Sequence, residues 1–386
     1  MRRAFFWLHL VLGVGAGLPI LTMCATGTLL ALQPQIMDWA EADQRRVTAT
    51  GAARVSPAAM LHAALATAPS AETLSITVFR DPSASVSVTI GRGDVRYVDP
   101  FTGNVLGTGS PRLRRVFQWL TEFHRWFAVG AGGRDTARAV TGWSTAAFVV
   151  LAISGAILWI PRRWTRALLV RGIVPGWAST PAARHYNWHT VVGIWCAPVL
   201  FMLALTGVII AFPWASRALY AIAGTPQPPS QGRAESVAPA RRAGAHADAG
   251  IPQAPDFRRV DAAWTVAEAQ LPTWSGITLR IQPRTNGPLS FTITDAAHWN
   301  RFARSQLVVD ATGSTVVRWE PYTDISTGQR WRGWARFAHT GELGGLAGQV
   351  VAGLASAGAT LLVYTGFSLA IRRLTRRIST GRARAA

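Results

Sequence analysis

The sequence predicts an integral membrane protein, a four-transmembrane-helix bundle built from two parallel repeats, each with an α+β domain outside the membrane. Three observations predict it. Four apolar runs, at 4–32, 140–160, 191–212 and 346–371, reach the roughly 20 residues that cross a hydrocarbon core, in a chain that is 49% hydrophobic and holds 17 Trp. One pattern, H-x3-G-x12-T-G, occurs twice with identical spacing: His9, Gly13 and Thr26-Gly27 answer His189, Gly193 and Thr206-Gly207. Arginine clusters border the runs at 2–3, 162–184 and 372–377, the sides that the positive-inside rule assigns to the cytoplasm.

The first span lies within 1–33. MRR before an apolar run resembles an export signal, but the run is long for one and the same segment returns at Trp188, so the span is expected to be retained. The segment 34–118 is expected to be an outer domain. Ser56-Pro57 opens a helix, SPAAMLHAALATA; 74–79 and 85–90 alternate as strands; VRYVDPFTGNVLG reads as two short strands around a turn with Gly103 at φ > 0. Residues 119–165 carry the end of an amphipathic helix, RLRRVFQWLTEFHRWF over 112–127, expected at the outer membrane surface with His124, and then the second span. The loop 166–187, with Pro175 and Pro181 after Pro161, is expected to be irregular, and 188–213 is the third span.

Within 214–335, residues 224–256 read as a low-complexity linker. The remainder repeats the first outer domain: a helix at 261–270, strands at 276–282 and 289–294, and QLVVDATGSTVVRW as the second turn hairpin. Residues 336–386, opening on RFAHTGE with His339, hold the last span and a basic tail. Aligning His124 with His339 and allowing a four-residue deletion after them brings Gly142 onto Gly353 and Gly155 onto Gly366, so the repeat covers most of the chain and its axis runs along the membrane normal.

The formal charge is +20, and every basic residue is Arg. Arg2, Arg3, Arg162, Arg163, Arg166, Arg171, Arg184, Arg372, Arg373, Arg376 and Arg377 border the spans, which places them in the cytoplasm beside anionic lipid, puts both termini inside, and sets aside nucleic acid as a partner. Cys24 and Cys196 lie in spans, so no disulfide framework is expected.

Four of the eight histidines fall at matched membrane-edge positions: His9 and His189 on the inner side, His124 and His339 on the outer. Facing pairs of neutral imidazoles suit the axial positions of a b-type haem between helices, and two pairs imply two haems. Gly13 and Gly193, one turn after their histidines, would clear space for a flat macrocycle. Arg125 and Arg336 beside the outer pair, and Arg2, Arg3 and Arg184 near the inner one, suit propionates. The plainer alternative is interfacial histidines bonded to backbone, with glycines serving close helix packing. His185, one turn before His189, is a further or alternative inner ligand, since its repeat counterpart is Phe5. His62, His246 and His298 have no partners in the pattern. Trp264, Trp274, Trp299, Trp319, Trp331 and Trp334 are core, anchor or ligand-facing residues. No C-x-x-C-H motif is present, so haem would be held non-covalently.

HRWF…TGW…SGAILWIPRR and FAHTGELGGLAGQVVAG…YTGFSLAIRR resemble the PepSY-associated transmembrane helix family, and the VDPFTG and VDATG turns are similar to those of PepSY domains. The resemblance covers most of the chain outside 224–256. It implies PepSY-like domains in the periplasm, the bacterial inner membrane as location, and kinship with di-haem ferric-siderophore reductases of the ferrioxamine type. It therefore implies an oxidoreductase that takes electrons from a quinol or a cytoplasmic reductant and delivers them to ferric siderophore, releasing Fe(II). A haem-free PepSY module that binds or regulates envelope proteins, or a siderophore permease, is the alternative.

Overall fold

A computed structural model describes residues 1–66, 73–91, 93–161, 165–176, 180–228, 257–281, 287–298 and 302–385. The linker at 229–256 with His246, Arg162 and Arg163, Trp299, and the side chains of Arg171, Arg376 and Arg377 lie outside that description. In chain order the helices are α1 (Arg2–Gly15), α2 (Gly17–Ala31), α3 (Gln33–Ala40), α4 (Ala42–Arg45), α5 (Pro57–Ala66), α6 (Pro111–Trp126), α7 (Arg134–Trp159), α8 (Arg166–Ile173), α9 (Pro181–Ala211), α10 (Pro213–Ile222), α11 (Arg258–Gln270), α12 (Thr327–His339) and α13 (Gly345–Ala385). Strands β1 (Leu74–Phe79), β2 (Val86–Ile90), β3 (Asp94–Val98) and β4 (Val105–Gly107) precede α6, and β5 (Trp274–Ile281), β6 (Leu289–Asp295), β7 (Arg304–Val309) and β8 (Val316–Glu320) follow α11.

The chain forms two compact units. A helical unit comprises Met1–Pro34, Val116–Gln227 and Thr327–Ala386; a sheet unit comprises Gln35–Arg115 and Pro228–Ser326. Among the described residues, Pro111–Trp159, Pro181–Ala211 and Glu342–Thr375 are long and apolar enough to cross a membrane, and α1 with α2 would make a fourth span.

That fourth span is not the continuous helix expected over 4–32: α1 and α2 meet at Ala16 with a bend of 68°. Pro19 offers no N–H to the Gly15 carbonyl and its ring crowds that group. Gly13, Gly15 and Gly17 put no side chains in the way of the bend. A Cβ on Gly17 would come within 2.6 Å of the Phe367 ring, so α13 packs directly onto the bend. The loop at 166–187 is likewise less irregular than expected. Thr165 caps α8 by accepting from the Leu168 N–H, and Pro181 takes the first turn of α9 behind the Thr180 cap. The core of the helical unit is a small apolar plug of Ile20, Cys24, Leu200, Ala355 and Ala359.

In the sheet unit the two outer segments do not make one domain each. Their strands join in a single 8-stranded antiparallel sheet of order β4-β3-β2-β1-β5-β6-β7-β8. β1 and β5 pair along their length, from Leu74 opposite Ile281 to Phe79 opposite Gly276, and Thr77 and Thr278 share a side-chain hydrogen bond of 3.0 Å across this seam. Alternation turns Leu74, Ile76, Val78, Ile277, Leu279 and Ile281 to one face. There α5 and α11 cover them with Met60, Leu61, Val260, Ala263 and Trp264. Asp261 of α11 accepts from the Ala58 N–H at 2.9 Å and so caps α5. The VDPFTG and VDATG turns form as read: Gly103 and Gly313 have φ of +74° and +84°, and a Cβ on Gly313 would strike the Arg259 carbonyl of α11. Four exposed-side hydrogen bonds to Asp310 from Thr312, Ser314 and Thr315 lower its carboxyl to about 2, the Thr312 hydroxyl contributing most.

Candidate functional site

The helical unit brings the predicted histidines together two by two. The imidazole centroids of His9 and His189 are 6.2 Å apart and edge-on at 90°; those of His124 and His339 are 6.4 Å apart at 61°. Two imidazoles on opposite sides of one metal ion have centroids about 6.2 Å apart, taking about 2.0 Å for each metal–nitrogen bond and about 1.1 Å from nitrogen to ring centre.

Each ring is seated in the same way. His9 Nδ1 meets Ser154 Oγ at 2.9 Å, His124 Nδ1 meets Thr26 Oγ1 at 2.9 Å, His189 Nδ1 meets Thr365 Oγ1 at 3.0 Å, and His339 Nδ1 meets Thr206 Oγ1 at 3.2 Å. Every one of these hydroxyls donates back to its own helix, to Leu151, Thr22, Leu361 and Met202 respectively, and therefore accepts from the ring. The Leu203 carbonyl accepts from His339 Nδ1 as well, at 2.9 Å, and the carbonyls of Leu151, Met23 and Leu362 bond the other three rings. Nδ1 thus carries the proton in all four, and Nε2 keeps its lone pair. Among the described residues no hydrogen bond falls on any of the four Nε2 atoms.

A glycine follows each of the four hydroxyl residues and admits the ring. Cβ atoms added at Gly155, Gly27, Gly366 and Gly207 would lie 3.2, 3.5, 3.4 and 3.2 Å from Cε1 of His9, His124, His189 and His339. These are the glycines that touch the imidazoles. Gly13 and Gly193 instead look across at Leu151 and Leu362, at 3.8 and 3.7 Å, with room to spare. The sequence contained the signal for these seats, since Ser/Thr-Gly occurs at 26–27, 154–155, 206–207 and 365–366, but it does not say which ring enters which seat. On α13, nine residues or about 14 Å of rise separate Ser356, beside Gly27 and the His124 seat, from Thr365.

His185 goes elsewhere: its Nδ1 meets Ser368 Oγ at 2.8 Å and its ring lies edge-on to Tyr364 at 5.6 Å, while His9 faces His189. Arg125 and Arg336 are exposed, and each stacks on the aromatic ring next to it in sequence, Trp126 and Phe337. Neither has a carboxylate partner among the described residues, and the two lie within electrostatic reach of each other. Arg2 is engaged as a cap on the end of α7, donating to the carbonyls of Leu158, at 2.7 Å, and Ile160. Of the other histidines, His62 packs on Phe257, and His298 lies 3.6 Å from Asp295.

Among the described residues no three His, Cys, Asp or Glu side chains converge. The remaining donors around an ion held by either pair would have to come from its own ligand, as the pyrrole nitrogens of haem do. The donor set therefore fits bis-imidazole haem.

Apolar spans in one unit and an 8-stranded sheet with helices in the other define the class, a membrane protein with an α+β unit. More narrowly, the chain belongs to the PepSY-associated TM region family, whose profile matches residues 6–373. No curated protein matches the chain in sequence.

Proposed function

We propose that this chain is an inner-membrane reductase that carries two b haems and passes electrons to a periplasmic ferric siderophore, releasing iron as Fe(II). The observation that carries the reading is the fourfold seat, which keeps the proton on Nδ1 of each ring, leaves each Nε2 its lone pair, and brings the ring centroids of the two pairs to 6.2 and 6.4 Å. Haem bound at the pairs would supply one-electron chemistry at a potential set by its ligands and surroundings.

His9 and His189 would hold the inner group and His124 and His339 the outer. Ser154, Thr26, Thr365 and Thr206 orient the rings and hold their Nδ1 protons. Gly13 and Gly193 leave the helix surface flat beside the inner pair, and Arg125 and Arg336 offer uncommitted guanidinium groups to propionates. Fe(II) binds hard oxygen donors less tightly than Fe(III), so one electron suffices to loosen the chelate. The donor is a quinol or a cytoplasmic reductant, and His185 stands beside the inner pair without belonging to it.

An absorption spectrum of the purified chain, expressed with ample haem, is the first test. The expected result is a Soret band of low-spin bis-histidine haem, with haem per chain reduced to about half by His9→Ala or by His339→Ala. Absence of the band sinks the proposal in favour of a haem-free PepSY module. Dithionite-reduced protein should then reoxidise on mixing with ferric siderophore and yield Fe(II). A permease would instead move intact chelate into liposomes with no electron donor.

A further inference from the structure

The sheet unit contains a cavity of about 680 Å³ on the face of the sheet opposite α5 and α11. Sequence reasoning found no site there. Its floor is the outward side of β2 and β3, with Ser87, Thr89, Val95 and Tyr97, and its far wall is Trp274 at the start of β5. Arg45, Arg46, Arg80 and Arg114 line it against two carboxylates, Asp38 and Asp81.

The arginines are not equally committed. Arg114 and Arg45 are held from behind by Glu41, which is fully buried. Arg46 pairs with Asp81 at 3.3 Å. Arg80 has no carboxylate partner among the described residues; it is exposed, donates to the Pro272 carbonyl at 2.7 Å, and lies 5.3 Å over the Trp274 ring. A guanidinium stacked on an indole makes a flat cationic wall suited to planar anionic oxygen groups. Ser85 also borders the cavity; it is buried, and its hydroxyl has no hydrogen-bond partner among the described residues.

We infer that this cavity binds a ferric chelate of net negative charge, a catecholate or carboxylate complex, in preference to a neutral or cationic hydroxamate. The volume suits a compact small-molecule ligand. Arg80, backed by the Trp274 ring, and Arg46 meet the chelate's anionic oxygens. The inference deepens the reductase reading by naming its substrate class.

The test uses the full chain in detergent and gallium(III) complexes, which reproduce the shape and charge of ferric chelates without redox chemistry. Binding of a gallium tris-catecholate, a gallium trihydroxamate and the metal-free catecholate is followed by calorimetry, and the Soret band is recorded on the same samples. The expected result is that the gallium catecholate binds at least about tenfold more tightly than either comparison compound. Arg80→Gln, at an exposed position, should weaken it by about tenfold while leaving haem content unchanged. Equal or tighter binding of the hydroxamate, equal binding of metal-free catecholate, or indifference to both Arg80→Gln and Arg46→Gln would overturn the inference. Binding in a sample with no Soret band upholds the cavity and removes the reductase; a Soret band without binding does the reverse.

Discussion

Thr365 holds the Nδ1 proton of His189, and a side chain of the same shape without the hydroxyl would leave the ring held by the Leu362 carbonyl alone. Thr365→Val is expected to weaken haem retention about tenfold, with Thr365→Ser restoring it, as read by Soret absorbance after gel filtration. The histidines and Thr26-Gly27 were legible because they repeat. Which hydroxyl serves which ring was not, because each seat lies on a different helix from its ring, and Ser154 replaces the threonine found in the other three. Glu41 was invisible in the sequence: a lone carboxylate in a polar stretch, whose partners arrive from far along the chain. Burial would raise its pKa, but the Ser110 N–H, the Tyr97 hydroxyl, Arg45 and Arg114 outweigh that and lower it below the ordinary 4.5. The stabilisation from the charged form is therefore present at neutral pH and disappears as pH falls through that lowered value. Glu41→Gln should destabilise the sheet unit by about 3 kcal/mol at neutral pH, and by progressively less in acid. Hydrogen exchange of β3 and α3 against pH would measure both.

Helix ends and turns were largely readable, since caps and glycines act locally: Ser56-Pro57 opens α5, and the VDPFTG and VDATG turns close where expected. The bend at Ala16 was not inferred, although its cause, Pro19, was in view. An apolar run reads the same whether straight or bent, and what accommodates the bend, Phe367, comes from the far end of the chain. Gly17→Ala forces a methyl into that ring and should cost about 1–3 kcal/mol in a thermal melt of the detergent-solubilised chain. Phe367→Leu, which removes the ring tip, should recover most of it. α8 was not legible because the three prolines of that loop outweigh the single cap signal before it, Thr165.

At the scale of the molecule, the strand content of each outer segment was legible but the joining of the two was not. Alternation assigns a face to each strand and says nothing about which edge finds a partner. Because β1 pairs with β5, a chain cut after α10 exposes an edge strand whose inner face carries Leu74, Ile76 and Val78. Such a half-chain should dimerise or aggregate, where the full chain does not, and sedimentation would show it.

The seats have a consequence for how errors spread. Ser154 and Thr26 serve His9 and His124, all within the first half of the chain; Thr365 and Thr206 serve His189 and His339, all within the second. Aiming an imidazole is private to a half, whereas facing another imidazole is shared between halves. Each half is in this sense a finished jaw with two teeth, and closing the jaws is a separate event from setting the teeth. A gene for one half would already encode a matched set, able to close on a copy of itself. His185 and the bend at Ala16 each belong to one jaw alone.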